Sequence, residues 1–450
     1  MTEQGLLSGL FSHGPVAAQT SEVALLQAML DVEVALMRAL AKAGIAPAQA
    51  ATEVAAVADA STFDVAAIGR GTADKGTPVP AMLGALRSRL SDEAAAHLHQ
   101  GATSQDVVDT GLMLVAQRAL VPLLDELVAA ADACAQLAKR HRSTLAPGRT
   151  LLQQALPLTF GIKAATWLSG LDGSCAELAE VRERVLAVQL FGAVGTLAAL
   201  GDRGLEVMST VADELGLAEP ALGWHTVRLR PARLSAALGS ALGVMGKVAR
   251  DVVLLAQTEI AEAAEGASEG RGGSSTMPHK RNPVGAVAVI ACAQRGPGLV
   301  ATILGAMAQE HERAAGTWQA EWEPLLELLR LAGSAATTLR QVLEGLDVDA
   351  ERMRRDLDAT GELVMSESVA AALSESIGRP AAQELVAKAA SVSARQGRPF
   401  REVLADQPEV SGALGADGLD AALDPRRYLG VTDELISRAL AEHDRLREPA

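Results

Sequence analysis

The sequence contains few aromatic residues, with five Phe, four Trp and one Tyr among 450 positions. Strands favour aromatic and β-branched side chains, whereas alanine and leucine, which dominate this chain, favour helices. The scarcity of aromatics therefore argues against a sheet-based fold and predicts an all-α protein. Because 49% of the residues are hydrophobic and the chain is too long for one small core, we expect two or three domains.

Cysteines are also scarce, and the three that occur, Cys134, Cys175 and Cys292, lie far apart in the sequence. Their spacing fits no metal-binding pattern, and no cofactor motif appears elsewhere. We therefore expect buried, reduced thiols in a cytoplasmic protein that uses neither a metal nor an organic cofactor.

Positive charge is in deficit, since 40 Lys and Arg face 55 Asp and Glu, which gives a net charge of −15. Nucleic acids select basic surfaces, so a nucleic-acid partner is excluded, and an anionic substrate requires a local cationic pocket. The N-terminal residues lack both a basic segment and a long apolar core, so we expect no signal peptide. The apolar stretch 284–307 is interrupted by Arg295 and Pro297, which predicts a buried helix pair and no membrane span.

Helical periodicity covers most of the chain. Residues 21–43 show apolar side chains every three or four positions, with Ser21 as a candidate cap and Gly44 at the end. Residues 69–80 look poor in helix. From about residue 104 to 350 the helical pattern is nearly continuous, and it includes one long helix predicted over 232–264.

Three domains fit this pattern. We predict an N-terminal helical domain over 1–110, a central bundle of long helices over 111–350 and a small C-terminal helical domain over 351–450. Long helices form bundles, and a helix that is apolar on several faces usually contacts other subunits as well. The central region is therefore expected to form an oligomer.

A loop motif interrupts the helical pattern at 272–283, where the sequence reads Gly-Gly-Ser-Ser-Thr-Met-Pro-His-Lys-Arg-Asn-Pro. Glycine allows close backbone approach to a ligand, and the two prolines break or restart helices. Such a loop can direct several backbone N–H groups at one anion, which suits a serine oxyanion or a developing enolate. Ser274, Lys280 and Asn282 are its candidate functional residues.

A second motif spans 99–110 and reads His-Gln-Gly-Ala-Thr-Ser-Gln-Asp-Val-Val-Asp-Thr. Thr103 or Ser104 can cap the helix that follows, which leaves N–H groups available for a carboxylate. Ordinary N-capping by Ser104 or Asp106 is the alternative interpretation.

Together these motifs resemble the fumarase/aspartase superfamily. The 272–283 loop is similar to its signature loop, and the 99–110 segment is similar to its H-x-G-x-T-S-x-D region. A third segment, 148–161, is similar to its G-R-T-H-x-Q-x-A-x-P-x-T-x-G region. The resemblance implies three helical domains with a long central bundle, a homotetramer, and active sites assembled from segments of different subunits.

Leu151 departs from the family pattern, because it stands where the lyases have a histidine, their usual general-acid candidate. Amines and hydroxide leave poorly without a proton, whereas a carboxylate, with a pKa near ~4, leaves as a stable anion. The missing acid therefore indicates an internal carboxylate as leaving group, as in a lactone-forming cycloisomerase. An inactive lyase kept as a scaffold is the rival interpretation, against which Ser274, Lys280 and Asn282 argue.

Two further stretches, 224–228 and 310–322, are similar to bacterial 3-carboxy-cis,cis-muconate cycloisomerases, and the resemblance covers essentially the whole chain. It implies that Ser274 transfers the proton while Lys280 and backbone N–H groups stabilise the oxyanion or the aci-carboxylate intermediate. It also implies that the segment from Gly266 to Gly273 acts as a lid. The residues expected to bind substrate are His99, Thr103, Ser104, Gln153, Arg228, Asn282 and Arg313.

Several of these residues have alternative roles. Arg228 and Arg313 suit paired N–H donation to carboxylates, but a structural ion pair is equally compatible with the sequence. His99, His225 and His311 fit helix ends or polar networks as well as a site. Trp224, Trp318 and Trp322 would suit a flat wall or ordinary helix packing.

Two other functions fit the sequence. The first is a lyase of the same superfamily that releases fumarate from adenylosuccinate or argininosuccinate. The second is a catalytically silent helical assembly protein that has kept the loop.

Overall fold

The computed structural model describes residues 6–266, 277 and 280–448, and these are mostly helical, as predicted. Backbone contacts divide the chain into two compact units. Unit 1 comprises Met1–Ala129, Gly173–Ala249 and Val287–Arg340, and unit 2 comprises Ala130–Asp172, Arg250–Ala286 and Gln341–Ala450. The three-domain division stays a prediction, because a unit defined by contacts can combine separate segments of chain.

The first part of the chain is helical. Its helices are α1 (Pro15–Gln19), α2 (Glu22–Lys42), α3 (Ala48–Val57), α4 (Val65–Lys75), α5 (Val79–Arg87), α6 (Asp92–His97) and α7 (Ser104–Arg140). A two-stranded antiparallel hairpin follows, formed by β1 (Leu145–Thr150) and β2 (Gln153–Thr159).

Long helices dominate the middle of the chain and short ones its end. The middle contains α8 (Phe160–Arg184), α9 (Gly204–Leu215), α10 (Leu229–Leu255), β3 (Ala263–Ala264), α11 (Val284–Gly305), α12 (Trp322–Glu344) and β4 (Asp347–Val348). The end contains α13 (Ala350–Asp358), α14 (Ser366–Ile377), α15 (Arg379–Gln396), α16 (Phe400–Ala405), α17 (Pro408–Ala413), α18 (Gly415–Leu423) and α19 (Thr432–Arg447). Short 3-10 helices lie at Ser8–Leu10, Ala60–Thr62, Ala198–Arg203, Gln319–Glu321, Leu363–Met365 and Pro425–Arg427.

The helix predicted over 21–43 is confirmed as α2. The Ser21 side chain accepts a hydrogen bond from the Ala24 amide, and Gly44 adopts a left-handed φ of 71° just beyond the end. The side chain thus satisfies an amide that the first helical turn leaves without a backbone partner.

The expectation that 69–80 is poor in helix was wrong, because α4 and α5 cover most of it. The Asp64 side chain caps α4 at the Ala67 amide, and Gly76 ends it in the left-handed region. Pro80 lies in the first turn of α5, where its missing N–H costs no helical hydrogen bond.

The nearly continuous helix predicted from 104 onward is interrupted by the hairpin. Pro147 and Pro157 face each other across the two strands, and Gly148 sits against the Leu156 carbonyl oxygen. Prolines disrupt a helix interior and are confined to edge strands or irregular positions in sheets, which a two-stranded hairpin provides. The third motif therefore lies on strands and not on a helix.

Two helix boundaries in the middle of the chain also differ from expectation. The helix predicted over 232–264 is α10, which ends at Leu255, and a turn then leads to β3. The apolar stretch 284–307 is a single helix, α11, that continues through Pro297, so the predicted helix pair was wrong.

Helices α7 and α11 are long and apolar enough to cross a membrane by length and composition alone. The apolar window of α7 is 72% buried within the chain, whereas that of α11 is 28% buried. The burial of α7 makes it a core helix of the chain. The small buried fraction of α11 leaves an apolar surface on unit 1.

Candidate active site

The α7 turn, residues 101–104, is shaped by a buried carboxylate from within the helix that it starts. The Asp106 Oδ2 atom accepts the Thr103 amide at 3.0 Å, and Gly101 adopts a φ of 83° that favours glycine. Thr103 and Ser104 are partly exposed, while Asp106 is fully buried. The Thr103 amide is therefore capped by the Asp106 carboxylate and not by a hydroxyl. The side chains of Thr103 and Ser104 lie at the accessible start of α7.

His99 precedes this turn and is oriented by an acid. Its Nδ1 atom lies 2.6 Å from Oε1 of the buried Glu33, and its backbone has a positive φ of 65°. Burial opposes the charged imidazole, but the hydrogen bond and the charge of Glu33 outweigh burial, so the pKa of His99 is raised. The contact with Glu33 thus fixes the orientation of the His99 ring beside the α7 turn.

Asp106 also connects the α7 turn to a second glycine-rich turn and to His225. Its carboxylate accepts the Gly192 amide at 2.9 Å and the Phe191 amide at 3.2 Å. The His225 Nε2 atom lies 2.6 Å from Asp106 Oδ1. One buried carboxylate thereby joins three stretches that are distant in sequence, and all its contacts lie in unit 1.

A buried charge cluster, made of Asp109, Arg228 and Glu321, lies one turn further along α7. Arg228 makes paired hydrogen bonds to Asp109 at 2.8 and 2.9 Å and further ones to Glu321 at 2.8–3.1 Å. Burial disfavours the Arg228 charge, but the two carboxylates outweigh it and raise its pKa, while burial raises the pKa of Glu321. The contacts favour the structural ion pair over substrate binding for Arg228.

The tryptophans of the stretches 224–228 and 310–322 lie beside the buried charge cluster. Trp318 donates its Nε1 hydrogen to Asp109 at 2.9 Å, and Trp224 donates its own to the Val188 carbonyl oxygen. Trp318 and Trp322 pack edge to face with ring centroids 4.8 Å apart. Trp224 and Trp318 are thus buried packing residues, in agreement with the alternative stated for them.

Arg313 is held mainly by carbonyl oxygens. Its guanidinium donates to the Gly192 and Ala193 carbonyl oxygens and to Gln105 Oε1 at 2.9 Å. Burial lowers its pKa, and the more distant charges of Asp106 and Asp109 only partly offset this. Arg313 is half-buried beside the 191–193 segment, with neutral atoms as its hydrogen-bond partners, so its charge is suited to an anion.

The hairpin in unit 2 presents the Leu151 position at its tip. Leu151 and Leu152 have φ values of 52° and 66°, and they are 96% and 73% exposed. Two successive left-handed residues form the tight turn that hairpins prefer, although leucine is a costly choice for it. Just before the tip, Arg149 makes paired hydrogen bonds of 2.8 and 2.6 Å to the buried Glu262.

Gln153 and Gln154 follow the tip on β2. Gln153 is exposed, whereas Gln154 donates to the Asp356 carbonyl oxygen at 3.0 Å. Of the two amides, Gln153 is therefore the one that is accessible, as its predicted role requires.

The signature loop is described only at its ends. Ser274 lies outside the described residues, as do the two glycines before it and most of the predicted lid. Glu265 accepts hydrogen bonds from the Gly285 and Ala286 amides at the start of α11, and Arg281 donates to the Glu265 carbonyl oxygen. Lys280 is exposed and Asn282 is partly exposed between these anchors.

The structure thus brings His99, Thr103, Ser104 and Arg313 to one region of unit 1. Gln153, Lys280 and Asn282 belong to unit 2. Sequence reasoning missed Asp106 as an organising carboxylate and Asp109, Glu262 and Glu265 altogether. Asp106 and Asp109 are spaced i, i+3 on an otherwise apolar helix, and this spacing is the signal that predicts a buried polar face.

Comparison with known proteins identifies the family. Residues 13–298 match the lyase family model, and residues 362–439 match the adenylosuccinate lyase C-terminus model. The chain is 46% identical over 444 residues to the 3-carboxy-cis,cis-muconate cycloisomerase of Pseudomonas aeruginosa, covering 98% of this chain and 97% of that one. It is 41% identical to nitrosuccinate lyase of Streptomyces davaonensis, covering 99% of this chain and 96% of that one.

A solved structure agrees with these relatives. The crystal structure of 3-carboxy-cis,cis-muconate lactonizing enzyme from Pseudomonas putida matches with a TM-score of 0.93 and 40% identity. The match covers 98% of this chain and 100% of that one. The predicted fold and the predicted family are therefore both confirmed, and the chain belongs to the fumarase/aspartase superfamily of lyases, among relatives that are cycloisomerases.

Proposed function

We propose that the chain is a 3-carboxy-cis,cis-muconate cycloisomerase that interconverts this triacid and 4-carboxymuconolactone in protocatechuate catabolism. The observation that carries the proposal is the match to enzymes of that name, at up to 46% identity and over 98% of this chain. Its substrate is a small tricarboxylate, and its location is the cytoplasm.

In the lactonising direction, an internal carboxylate oxygen adds across a double bond. The carbon next to another carboxyl group becomes carbanion-like and is then protonated. Ser274 transfers that proton, and Lys280 with backbone N–H groups stabilises the oxyanion or the aci-carboxylate intermediate. Two observations support this role: Lys280 is exposed, and Glu265 holds the chain at the end of the loop through the Gly285 and Ala286 amides.

Leu151 explains why a cycloisomerase suits this site better than an amine-releasing lyase. In the reverse direction the leaving group is a carboxylate, which needs no proton donor at neutral pH. An exposed leucine at the hairpin tip supplies none. Leu151→His is therefore expected to bring no gain in lactone formation, and a large gain would show that proton donation limits the wild type.

The substrate carboxylates are bound by Thr103, Ser104, Gln153 and Asn282, with His99 and Arg313 beside the α7 turn. Arg313 supplies cationic character in an acidic chain, because its direct partners are neutral. Arg228 acts indirectly through the buried charge cluster.

A homotetramer with sites shared between subunits completes the proposal. The apolar window of α11 is mostly uncovered, and two leucines project from the hairpin tip. Exposed apolar surface of this kind marks an interaction site, and other copies of the chain would cover it.

Nitrite elimination from a nitro-substituted succinate is a second candidate function. Nitrite, like a carboxylate, leaves as a stable anion, so a site without a general acid serves both reactions. The relative at 41% identity is named for this reaction. Leu151 therefore excludes neither activity.

One assay separates the candidates. The purified protein is mixed with 3-carboxy-cis,cis-muconate, and loss of the conjugated-diene absorbance is followed. Parallel reactions with nitrosuccinate, adenylosuccinate and argininosuccinate are monitored for fumarate. Turnover of the diene alone supports the cycloisomerase, fumarate from any other substrate supports a lyase, and no turnover supports an assembly protein.

Ser274→Ala tests the catalytic residue. The variant is expected to bind substrate and lose turnover, and near-normal rates would remove Ser274 from its role.

A further inference from the structure

We propose that His225 is a positioning residue for substrate binding, which acts through Asp106 on two neighbouring turns. This inference rests on the proposed role of the α7 turn in binding carboxylates. Nothing in the family resemblance assigns a function to the contact between His225 and Asp106, which are 119 residues apart in sequence.

Asp106 is held in place by the hydrogen bonds that its carboxylate accepts. Its buried carboxylate accepts four hydrogen bonds, from the Thr103, Phe191 and Gly192 amides and from the His225 ring. A buried carboxylate is stable only when its lone pairs are satisfied, so each donor fixes the position of the others. All four donors are backbone or ring groups with little freedom to follow if the carboxylate turns.

The two turns that Asp106 joins also touch each other. Gly192 has a φ of 71°, and a Cβ atom placed there would lie 3.0 Å from the Gly101 carbonyl oxygen. The α7 turn and the turn at 192–196 are therefore in direct contact. Residues 193–196 are exposed, and Thr103 and Ser104 are partly exposed. The two turns together therefore form an accessible surface beside the buried Asp106 carboxylate.

His225 itself is held by its backbone as well as by its ring. Its carbonyl oxygen accepts the Gln105 side-chain amide at 2.8 Å, and Gln105 Oε1 in turn accepts Arg313. Arg313 also donates to the Gly192 and Ala193 carbonyl oxygens. His225 is thus linked through Gln105 and Asp106 to both turns and to Arg313, whose hydrogen-bond partners among the described residues are neutral.

The geometry therefore gives His225 a role beyond general stability. Removing its N–H leaves Asp106 under-coordinated, and the carboxylate must shift toward its remaining amide donors or recruit water. Either change displaces Thr103 and Gly192 together. Substrate affinity should fall, whereas the chemical step on bound substrate should change little.

The experiment compares His225→Gln, whose amide reaches the place of the imidazole Nε2, with His225→Met, which fills similar volume without a donor. KM and kcat for 3-carboxy-cis,cis-muconate and calorimetric binding of propane-1,2,3-tricarboxylate are measured for both. His225→Met is expected to weaken binding and raise KM about tenfold or more, with kcat within about threefold of wild type. His225→Gln should recover most of the affinity.

His443 in unit 2 provides the matched control. It is buried and lies 3.1 Å from Asp172 and 3.0 Å from Asp132, so it too is a histidine between carboxylates. His443→Met and His443→Gln should lower stability and leave KM and tricarboxylate binding unchanged.

Several outcomes overturn the inference: a folded His225→Met variant with wild-type affinity, failure of His225→Gln to recover affinity, or an equal KM rise in His443→Met. If His225→Met does not fold, His225→Asn, which is too short to reach Asp106, replaces it. Tricarboxylate binding that depends on His225 without turnover would refute the proposed reaction and retain this inference. Absence of both turnover and tricarboxylate binding in the wild type would refute both.

Discussion

The start of α7 and the tip of the hairpin differ in how their conformations are maintained. The α7 turn is braced from below by Asp106, His225 and the buried charge cluster, all within unit 1. The hairpin is anchored just before its tip by Arg149 and Glu262, but the tip itself consists of two exposed leucines in left-handed conformation. The α7 turn is therefore stabilised by contacts within a single chain. The hairpin tip, in contrast, exposes apolar side chains that no contact within the described part of the chain buries.

Disrupting the buried charge cluster should have the largest effect on stability. Arg228→Met leaves Asp109 and Glu321 buried without their cation, which is expected to lower the unfolding free energy by about 3–5 kcal/mol. Denaturant unfolding measures the difference. Arg203→Met, at an exposed ion pair with Glu206, is the control and should leave stability almost unchanged. Equal effects of both would refute the claim that the cluster braces α7.

Replacing the hairpin tip should separate stability from activity. Leu151→Asn combined with Leu152→Gly provides residues that tolerate positive φ, so the turn itself should gain about 1–2 kcal/mol. Turnover should fall at least about tenfold, because the apolar side chains that other copies of the chain are expected to cover are lost. Unfolding and steady-state kinetics on the same preparation test this. Wild-type turnover in this double variant would show that the leucines serve no site.

A smaller effect is expected from crowding the two turns of unit 1. Gly192→Ala introduces a methyl group 3.0 Å from the Gly101 carbonyl oxygen at a positive φ, which is expected to cost about 1 kcal/mol of stability and to raise KM. Gly195 also has a positive φ, but a Cβ atom there would meet open space. Gly195→Ala is therefore the control that introduces backbone strain without the contact. An identical KM in both variants would argue against the contact.

The pH dependence of His99 should give the smallest effect. Its pKa is raised in the folded state, so the pair with Glu33 stabilises fully below the ordinary histidine pKa of about 6.5 and loses this contribution as pH rises through the folded value. His99→Gln should therefore destabilise more at pH near 6 than at pH near 9. Thermal unfolding at both values tests it, and a larger loss at the higher pH would reverse the assignment.

The sequence predicted the fold where periodicity and caps are strong, as in α2 with Ser21 and Gly44. It failed at the hairpin, because β1 and β2 are short and carry prolines, so their pattern resembles a broken helix. It predicted the segments of the proposed site but not the buried residues that support them. Asp106 and Asp109 lie on an apolar stretch, and only the folded chain brings them to His225 and Arg228, more than a hundred residues away.

Asp106 has a consequence for the order in which the protein is completed during synthesis. Its partners at positions 191, 192 and 225 leave the ribosome long after the helix that carries it. Until then the carboxylate can only cap Thr103 or contact water. The proposed anion-binding surface of a nascent chain thus acquires its final form late, after residue 225 has docked, and fragments that end before residue 225 would lack part of its support.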